Sequence, residues 1–202
     1  MRKGFLVIIS APSGAGKSSV CRALRKRDRS LRYSVSCTTR APRPREADGK
    51  HYRFLTRSEF RRRERRGEFL ETATVHGNLY GTPRGFILAE AGRGRVILLD
   101  IDVQGAEAIR KRRKGTGIDA VTVFILPPSW KILEKRLRLR RDSSDSIKTR
   151  LTNARGELKK APRYDYWVVN DRLDKAVEQV AAIIQAERLR ASHGADGAGL
   201  VK

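Results

Sequence analysis

The 202-residue sequence has few cysteines, few aromatic residues and no long apolar run. Two cysteines, Cys21 and Cys37, cannot form a disulfide framework, and their spacing fits no zinc-site pattern, so a reducing, cytoplasmic setting is expected. No apolar run reaches the roughly 18 to 20 residues that a membrane span requires. The apolar stretch at residues 5–9 is shorter than the roughly 7 to 15 residues of a signal-peptide core, and it is expected to be a buried strand.

Acidic residues are also scarce: 22 aspartates and glutamates stand against 45 lysines and arginines, which gives a formal net charge of +23. This excess favours polyanionic partners such as nucleotides, phosphorylated substrates or nucleic acid. An arginine-rich composition that only decorates the surface would give the same charge. The function must therefore be sought in motifs.

Short β-rich segments bounded by turn residues predict buried strands at residues 5–10, 33–37, 96–102, 121–126 and 166–170. Helical patterns lie between and after them, at residues 17–27, 83–90, 104–111, 129–138, 146–159 and 174–190. Apolar strands that alternate with helices indicate an α/β fold with a parallel sheet flanked by helices.

Residues 38–82 break this alternation, because they are rich in turn residues and arginine. Thr56-Arg-Ser-Glu59 is a capping-box pattern and predicts a short helix over residues 57–66. The stretch is therefore interpreted as a small lobe inserted into the α/β core. The glycine-rich tail at residues 191–202 is expected to be disordered.

The first predicted strand is followed by Ala-Pro-Ser-Gly-Ala-Gly-Lys-Ser at residues 11–18, here called the phosphate cradle. It fits the phosphate-binding pattern G-x-x-x-x-G-K-[ST] except that Ala11 replaces the opening glycine. Gly14 and Gly16 would let backbone N–H groups approach phosphate oxygens, Lys17 would add a positive charge and Ser18 would bind Mg²⁺. A strand before the motif and a helix after it favour this reading over a chance glycine-rich turn.

The strand predicted at residues 96–102 contains Asp100 near its end. A carboxylate at the end of an apolar strand beside a phosphate cradle is typical of the aspartate that holds Mg²⁺, here through water. Together the two motifs indicate an NTP-dependent phosphotransferase or an NTPase of P-loop type.

Further motifs follow in a fixed order along the chain. They are Ser-Val-Ser-Cys-Thr-Thr-Arg-Ala-Pro-Arg at 34–43; Glu46, Asp48, Gly49 and Tyr52; Glu71; His-Gly-Asn-Leu-Tyr-Gly-Thr-Pro at 76–83; Leu-Asp-Ile-Asp-Val-Gln-Gly at 99–105; and Tyr-Trp-Val-Val-Asn-Asp at 166–171. With the phosphate cradle, this set resembles the guanylate kinase family over residues 4–190.

The resemblance implies transfer of the ATP γ-phosphoryl group to GMP or dGMP, with Mg²⁺ as cofactor. It also implies a P-loop core (about residues 4–33, 83–128 and 160–190), an acceptor lobe (about 34–82) and a helical lid (about 129–159).

The resemblance also assigns site residues. ATP would be bound by Ala11, Pro12, Ser13, Gly14, Ala15, Gly16, Lys17, Ser18, Ser19 and Asn170. The GMP phosphate would be held by Ser36, Arg40, Arg43, Tyr52 and Tyr80, and guanine would be read by Glu71, Thr82 and Asp102. Catalysis would fall to Lys17, Arg40, Arg43, Arg136, Arg140 and Arg150, and Mg²⁺ to Ser18 and Asp100.

The chemistry of GMP agrees with this assignment of residues to its phosphate and its base. A monophosphate carries a charge near −2, and arginine presents a planar fork to its oxygens. Glu71 would accept hydrogen bonds from guanine N1–H and the 2-amino group, which adenine lacks. An unpaired carboxylate would cost about 2 kcal/mol or more, about thirtyfold in discrimination. Thr82 is expected to donate to guanine O6, or to cap a helix that begins at Pro83.

The lid is rich in arginine. Arg136, Arg140 and Arg150 match the family patterns Arg-Leu-x-x-Arg and Lys-x-Arg-Leu. The family usually has Arg-Gly at the break between the two lid helices, where this chain has Arg140 and Arg141 and is one residue shorter. Arg138 and Arg141 are interpreted as solvent-exposed.

Three other readings stay open at this stage. A related P-loop kinase could phosphorylate a ribose bisphosphate, although such an acceptor has no base for Glu71 to read. Guanylate-kinase-like modules that bind phosphorylated peptides also exist, but they typically lose the lysine that is present here as Lys17. Nucleic acid could bind through charge alone, without specificity and with a steep dependence on salt. The basic stretch at residues 61–66 is interpreted as a solvated helix face, and the three histidines as surface or turn residues.

Overall fold

The computed structural model describes residues 3–44, 46–75, 77–139, 144–190 and 193; the side chains of residues 112–116 and 144–146 are not described. Within this range the chain forms a five-stranded parallel sheet and a smaller four-stranded sheet. Helices flank the larger sheet, as the sequence predicts.

The larger sheet has the strand order β2-β7-β1-β8-β9. Its strands are β1 (Phe5–Ser10), β2 (Arg32–Tyr33), β7 (Val96–Asp100), β8 (Asp119–Leu126) and β9 (Tyr166–Val169). Every neighbouring pair is parallel. Strand β1 lies in the centre and is buried along its whole length, which explains its unbroken apolar sequence. The predicted α/β class with a parallel sheet is confirmed.

The helices of the core are α1 (Lys17–Arg27), α3 (Arg84–Gly92), α4 (Val103–Thr116) and α7 (Leu173–Leu189). One apolar cluster joins β1 and β8 to α1 and α7 through residues such as Val20, Leu24 and Val180. A second cluster packs Ile87 of α3 and Ile109 of α4 against the opposite face of the sheet. The two clusters hold the phosphate cradle at the carboxyl end of β1.

The smaller sheet has the strand order β4-β3-β6-β5. Its strands are β3 (Cys37–Thr38), β4 (Arg53–Phe54), β5 (Phe69–Val75) and β6 (Asn78–Pro83), and helix α2 (Arg57–Arg65) packs on it. The hydroxyl of Thr56 accepts a hydrogen bond from the Glu59 backbone N–H at 3.2 Å, so the predicted N-terminal cap of α2 is present.

Two helices follow the larger sheet's fourth strand: α5 (Trp130–Arg138) and α6 (Ser144–Leu158). Leu133 and Leu137 of α5 pack against Ala154 of α6 in a small separate cluster. The same two leucines would lie 3.0–3.1 Å from a Cβ atom placed on Gly14. Helix α5 therefore rests directly on the phosphate cradle.

The prediction of a single strand over residues 33–37 is wrong. Tyr33 ends β2 in the larger sheet, whereas Cys37 begins β3 in the smaller one. Between them Ser34 donates its N–H to Leu98 O at 3.1 Å, and Ser36 O accepts from Arg53 N at 2.9 Å. A β-rich pattern marks extended chain but does not tell which sheet it joins.

Two other predictions need correction. Pro83 does not open a helix, because it is the last residue of β6 and the N-terminal cap of α3. His193 is a buried residue, 4% exposed, because its ring stacks on Phe5 at 4.5 Å and its Nδ1 lies 2.9 Å from Glu187 O. His76 and the rest of the tail beyond residue 190 lie outside the described residues. None of the described helices is long and apolar enough to span a bilayer.

Candidate active site

The two sheets and α6 line an open cleft. Many residues that the sequence assigns to ATP, GMP and Mg²⁺ line this one space. They are Ala11, Pro12, Ser13, Gly14, Gly16, Lys17, Ser18, Ser19, Ser36, Arg43, Tyr52, Glu71, Tyr80, Asp100, Asp102 and Arg150. Ala15, Arg40, Thr82, Arg136 and Asn170 lie behind or beside its lining, and Arg140 lies outside the described residues.

The cradle backbone takes its shape from two glycines. Gly14 and Gly16 have φ angles of 91° and 93°, in the left-handed region that favours glycine. Gly16 is also the N-terminal cap of α1, whose first residue is Lys17. The turn therefore delivers backbone N–H groups and the positive end of a helix dipole to the cleft, which suits a phosphate group.

Lys17 is held by the end of β7. Its Nζ lies 2.7 Å from Asp100 Oδ1 and donates to Ile101 O at 2.7 Å. Burial acts to lower the pKa of Lys17, but the Asp100 carboxylate outweighs this, and the pKa is raised. Lys17 therefore stays charged at neutral pH and is fixed beside the carboxylate that the sequence assigns to Mg²⁺.

Asn170 is hydrogen-bonded to the backbone of the cradle. It is buried, and its Nδ2 donates to Ala15 O at 2.7 Å. A Cβ atom on Gly16 would collide with this amide. Asn170 O in turn accepts a hydrogen bond from Arg136 Nη2 at 3.1 Å. The side chain of Asn170 thus holds the cradle in place, and its backbone carbonyl links the residue to Arg136 of α5.

Arg40 and Arg43 are organised by Glu46. Arg40 Nη2 donates to both Glu46 carboxylate oxygens at 2.9 Å, and the Arg43 backbone N–H donates to Glu46 Oε2 at 2.8 Å. The side chain of Arg43 reaches the cleft, whereas that of Arg40 is turned to Glu46. Of these two arginines, therefore, Arg43 lines the cleft and Arg40 does not.

Two tyrosines of the smaller sheet face the cradle. The rings of Tyr52 and Tyr80 meet edge to face with centroids 5.9 Å apart, and both line the cleft. Burial raises the pKa of the Tyr52 hydroxyl, and the charge of Lys17 partly opposes that rise. The hydroxyl is therefore a neutral donor within electrostatic reach of Lys17.

Glu71 of strand β5 lines the same cleft. It is 3% exposed, and its Oε1 accepts a hydrogen bond from Thr82 Oγ1 at 2.7 Å. Asp102, the N-terminal cap of α4, accepts from the Gly105 N–H at 3.0 Å. The single O–H of Thr82 is donated to Glu71, so the expected donation to guanine O6 would require this hydrogen bond to be exchanged.

Of the three lid arginines that the sequence predicts, the structure describes two, Arg136 and Arg150. Arg150 of α6 lines the cleft. Arg136 of α5 does not, and its Nη1 is a buried donor without a hydrogen-bond partner among the described residues. Because Arg136 donates to the backbone oxygen of Asn170, it lies beside the cradle and is not part of the cleft lining.

Sequence reasoning missed Glu157 of α6. Its Oε2 accepts a hydrogen bond from the Ser13 N–H of the cradle at 3.3 Å, and the residue lines the cleft. Burial raises the pKa of Glu157, the Ser13 N–H opposes the rise, and Asp102 adds to it. The available signal was its spacing: Glu157 stands seven residues after Arg150, about two turns along the same helix face.

Comparison with known proteins agrees with these features. A family model for guanylate kinase matches residues 3–187. The guanylate kinase of Rhizobium meliloti (strain 1021) is 48% identical over 190 residues, 94% of this chain and 85% of that protein. The guanylate kinase of Thermotoga maritima is 44% identical over 195 residues, 96% of this chain and 92% of that protein.

A solved structure is similar over a comparable length. The crystal structure of guanylate kinase from Anaplasma phagocytophilum has a TM-score of 0.83 and 31% identity, covering 99% of this chain and 94% of that one. The phosphate cradle and the buried Glu71 line one cleft. On this family match, these identities and this fold, the chain belongs to the guanylate kinase family.

Proposed function

We propose a division of labour within the cleft for the reaction of this family, in which the γ-phosphoryl group of ATP passes to GMP and leaves ADP and GDP. The observation that carries the proposal is that Lys17, Tyr52 and Glu71 line one cleft. The phosphates of these two substrates need a cation and a neutral hydrogen-bond donor, and guanine needs a carboxylate that accepts from its N–H groups.

The donor nucleotide belongs on the cradle side. Backbone N–H groups of residues 13–18 would bind the ATP phosphates, and Lys17 would compensate their charge. Arg150 and Arg136 would approach from the lid; the buried Nη1 of Arg136 is a donor that a phosphate oxygen can satisfy. Glu157 must then leave Ser13, because a carboxylate and a phosphate cannot share the same N–H.

Ser18 and Asp100 would hold Mg²⁺. Both line the cleft beside Lys17, and their oxygen atoms are the type of ligand that Mg²⁺ takes. When bound, Mg²⁺ orients the ATP phosphates and neutralises part of their charge. The carboxylate of Asp100 is already fixed by Lys17 at 2.7 Å.

The acceptor belongs on the opposite side. Arg43, Tyr52, Tyr80 and Ser36 would hold the GMP phosphate, and Arg40 would join them by rotating from Glu46. Glu71 would accept from guanine N1–H and the 2-amino group, with Asp102 beside it. Thr82 would act through Glu71, whose carboxylate it orients.

Catalysis would then consist of alignment and charge compensation. Phosphoryl transfer leaves little covalent work to the protein, and we assign no general base and no covalent intermediate. Closure of the lid over residues 129–159 would keep water from the phosphoryl group. The division into core, acceptor lobe and lid is part of this proposal.

We place the reaction in the cytoplasm, where two unpaired and buried cysteines, Cys21 and Cys37, would persist as thiols. Nucleic acid would bind only through the charge of +23, with an affinity that falls steeply as salt rises. ATP and GMP are the partners that the cleft requires.

A coupled ADP-release assay with GMP, AMP, CMP and UMP as acceptors tests the proposal. We expect turnover with GMP and at least about thirtyfold lower kcat/KM with AMP. Comparable rates with GMP and AMP would refute the reading of guanine by Glu71. No turnover with any acceptor would refute the kinase reaction and favour a module that only binds phosphorylated ligands.

A further inference from the structure

We propose that Gly105 is a positioning residue of the guanine pocket, because the missing side chain makes the space in which the Glu71 carboxylate lies. The inference rests on the proposed function of the same site and names a residue that neither touches phosphate nor carries a reactive group. Its role is to let two carboxylates from different elements converge on one end of the cleft.

The distances around Gly105 carry the argument. A Cβ atom on Gly105 would lie 2.9 Å from Glu71 Oε2 and 3.1 Å from Glu71 Cδ. It would also lie 3.3 Å from Asp102 Oδ1. Real Cβ atoms essentially never come within 3.0 Å of another heavy atom, so with a methyl group at position 105 the Glu71 carboxylate would have to shift from this position.

The backbone itself does not require glycine at this position. Gly105 lies in the first turn of α4 and has no left-handed φ angle, unlike Gly14 and Gly16. Within a helix, glycine is less favourable than alanine. The helix would therefore be more stable with alanine, and the space beside Glu71 is what explains the glycine.

Helix α4 is held against β5. Gln104 Nε2 donates to Thr74 O of β5 at 3.2 Å, and Ala106 and Ile109 of α4 belong to the same apolar cluster as Leu70 of β5. An added methyl group would therefore displace the end of the Glu71 side chain rather than the helix. That displacement would strain the 2.7 Å hydrogen bond from Thr82 and move the carboxylate from its place in the cleft.

The test is Gly105→Ala, with Gly85→Ala as the matched control. Gly85 also lies in the first turn of a helix, α3, and a Cβ atom there has nothing within 4 Å. For G105A we expect kcat/KM for GMP to fall about tenfold or more, KM for ATP to change less than twofold, and the melting temperature not to fall. For G85A we expect unchanged kinetics with both substrates.

A second variant checks that the effect passes through Glu71. Shortening this side chain in Glu71→Asp makes room for the methyl group, so G105A should cost much less in an E71D background than in the wild type. Unchanged GMP kinetics in G105A would overturn the inference. So would an insoluble or destabilised G105A protein, additive losses in the double variant, or an equal rise in KM for ATP. If the wild type itself does not phosphorylate GMP, the proposed function fails instead.

Discussion

The hydrogen bond from Thr82 to Glu71 gives the most quantitative prediction. Both residues are buried, with 0% and 3% of their surfaces exposed, and the oxygens are 2.7 Å apart. Thr82→Val keeps the branched shape and removes only the donor. A hydrogen bond to a charged group contributes about 1.5–3 kcal/mol, which corresponds to a factor of about 10 to 150.

We expect Thr82→Val to lower kcat/KM for GMP about tenfold, at the low end of this range, because bound guanine supplies donors to the same carboxylate. The assay is coupled ADP release at saturating ATP. Thr82→Ser keeps the hydroxyl and should stay within about threefold of the wild type. Unchanged GMP kinetics in the valine variant, or equal losses in both variants, would refute the role of this bond.

Two further substitutions test the cradle. Lys17→Ala removes the cation that Asp100 holds, so turnover should be lost. The far-UV circular dichroism spectrum and cooperative melting should persist. Substantial residual activity would show that the cradle is not part of the mechanism. Glu157→Gln removes a negative charge from the site that must accept the ATP phosphates, so KM for ATP should fall several-fold at an unchanged KM for GMP. A raised KM for ATP would show that Glu157 assists binding instead.

The parts of the fold that the sequence could predict are those set by local chemistry. Helix α1 has its predicted bounds. Gly16 caps its first residue, Lys17, and three basic residues in the last turn suit the negative end of the helix dipole. The alternation of apolar strands and helices correctly predicts the parallel sheet. The cradle and the strand end at Asp100 are adjacent because parallel strands present their carboxyl ends at one edge.

The features that the sequence could not give depend on contacts between distant residues. The chain at residues 33–37 divides between two sheets because of partners at Leu98 and Arg53. Glu157 reaches Ser13 across 144 positions, and no local pattern encodes such a pair.

In the candidate site, too, the sequence does not show which residues contact one another. Arg40 has the residue type that phosphate requires, but the sequence does not show that Glu46 already holds it. Gly105 stands in a recognised motif, yet its importance becomes visible only when the position of Glu71 is known. Residue types could be predicted from the sequence, whereas their partners required the structure.

The central claim is that a carboxylate at position 71 reads guanine, and comparison of GMP with IMP tests it most directly. IMP differs only by lacking the 2-amino group, so the wild type should prefer GMP by about ten- to a hundredfold in kcat/KM. In Glu71→Gln, Thr82 would hold the amide oxygen and leave the NH₂ group facing guanine donors, so the preference should collapse towards one. The same GMP-to-IMP ratio in both proteins would contradict the account.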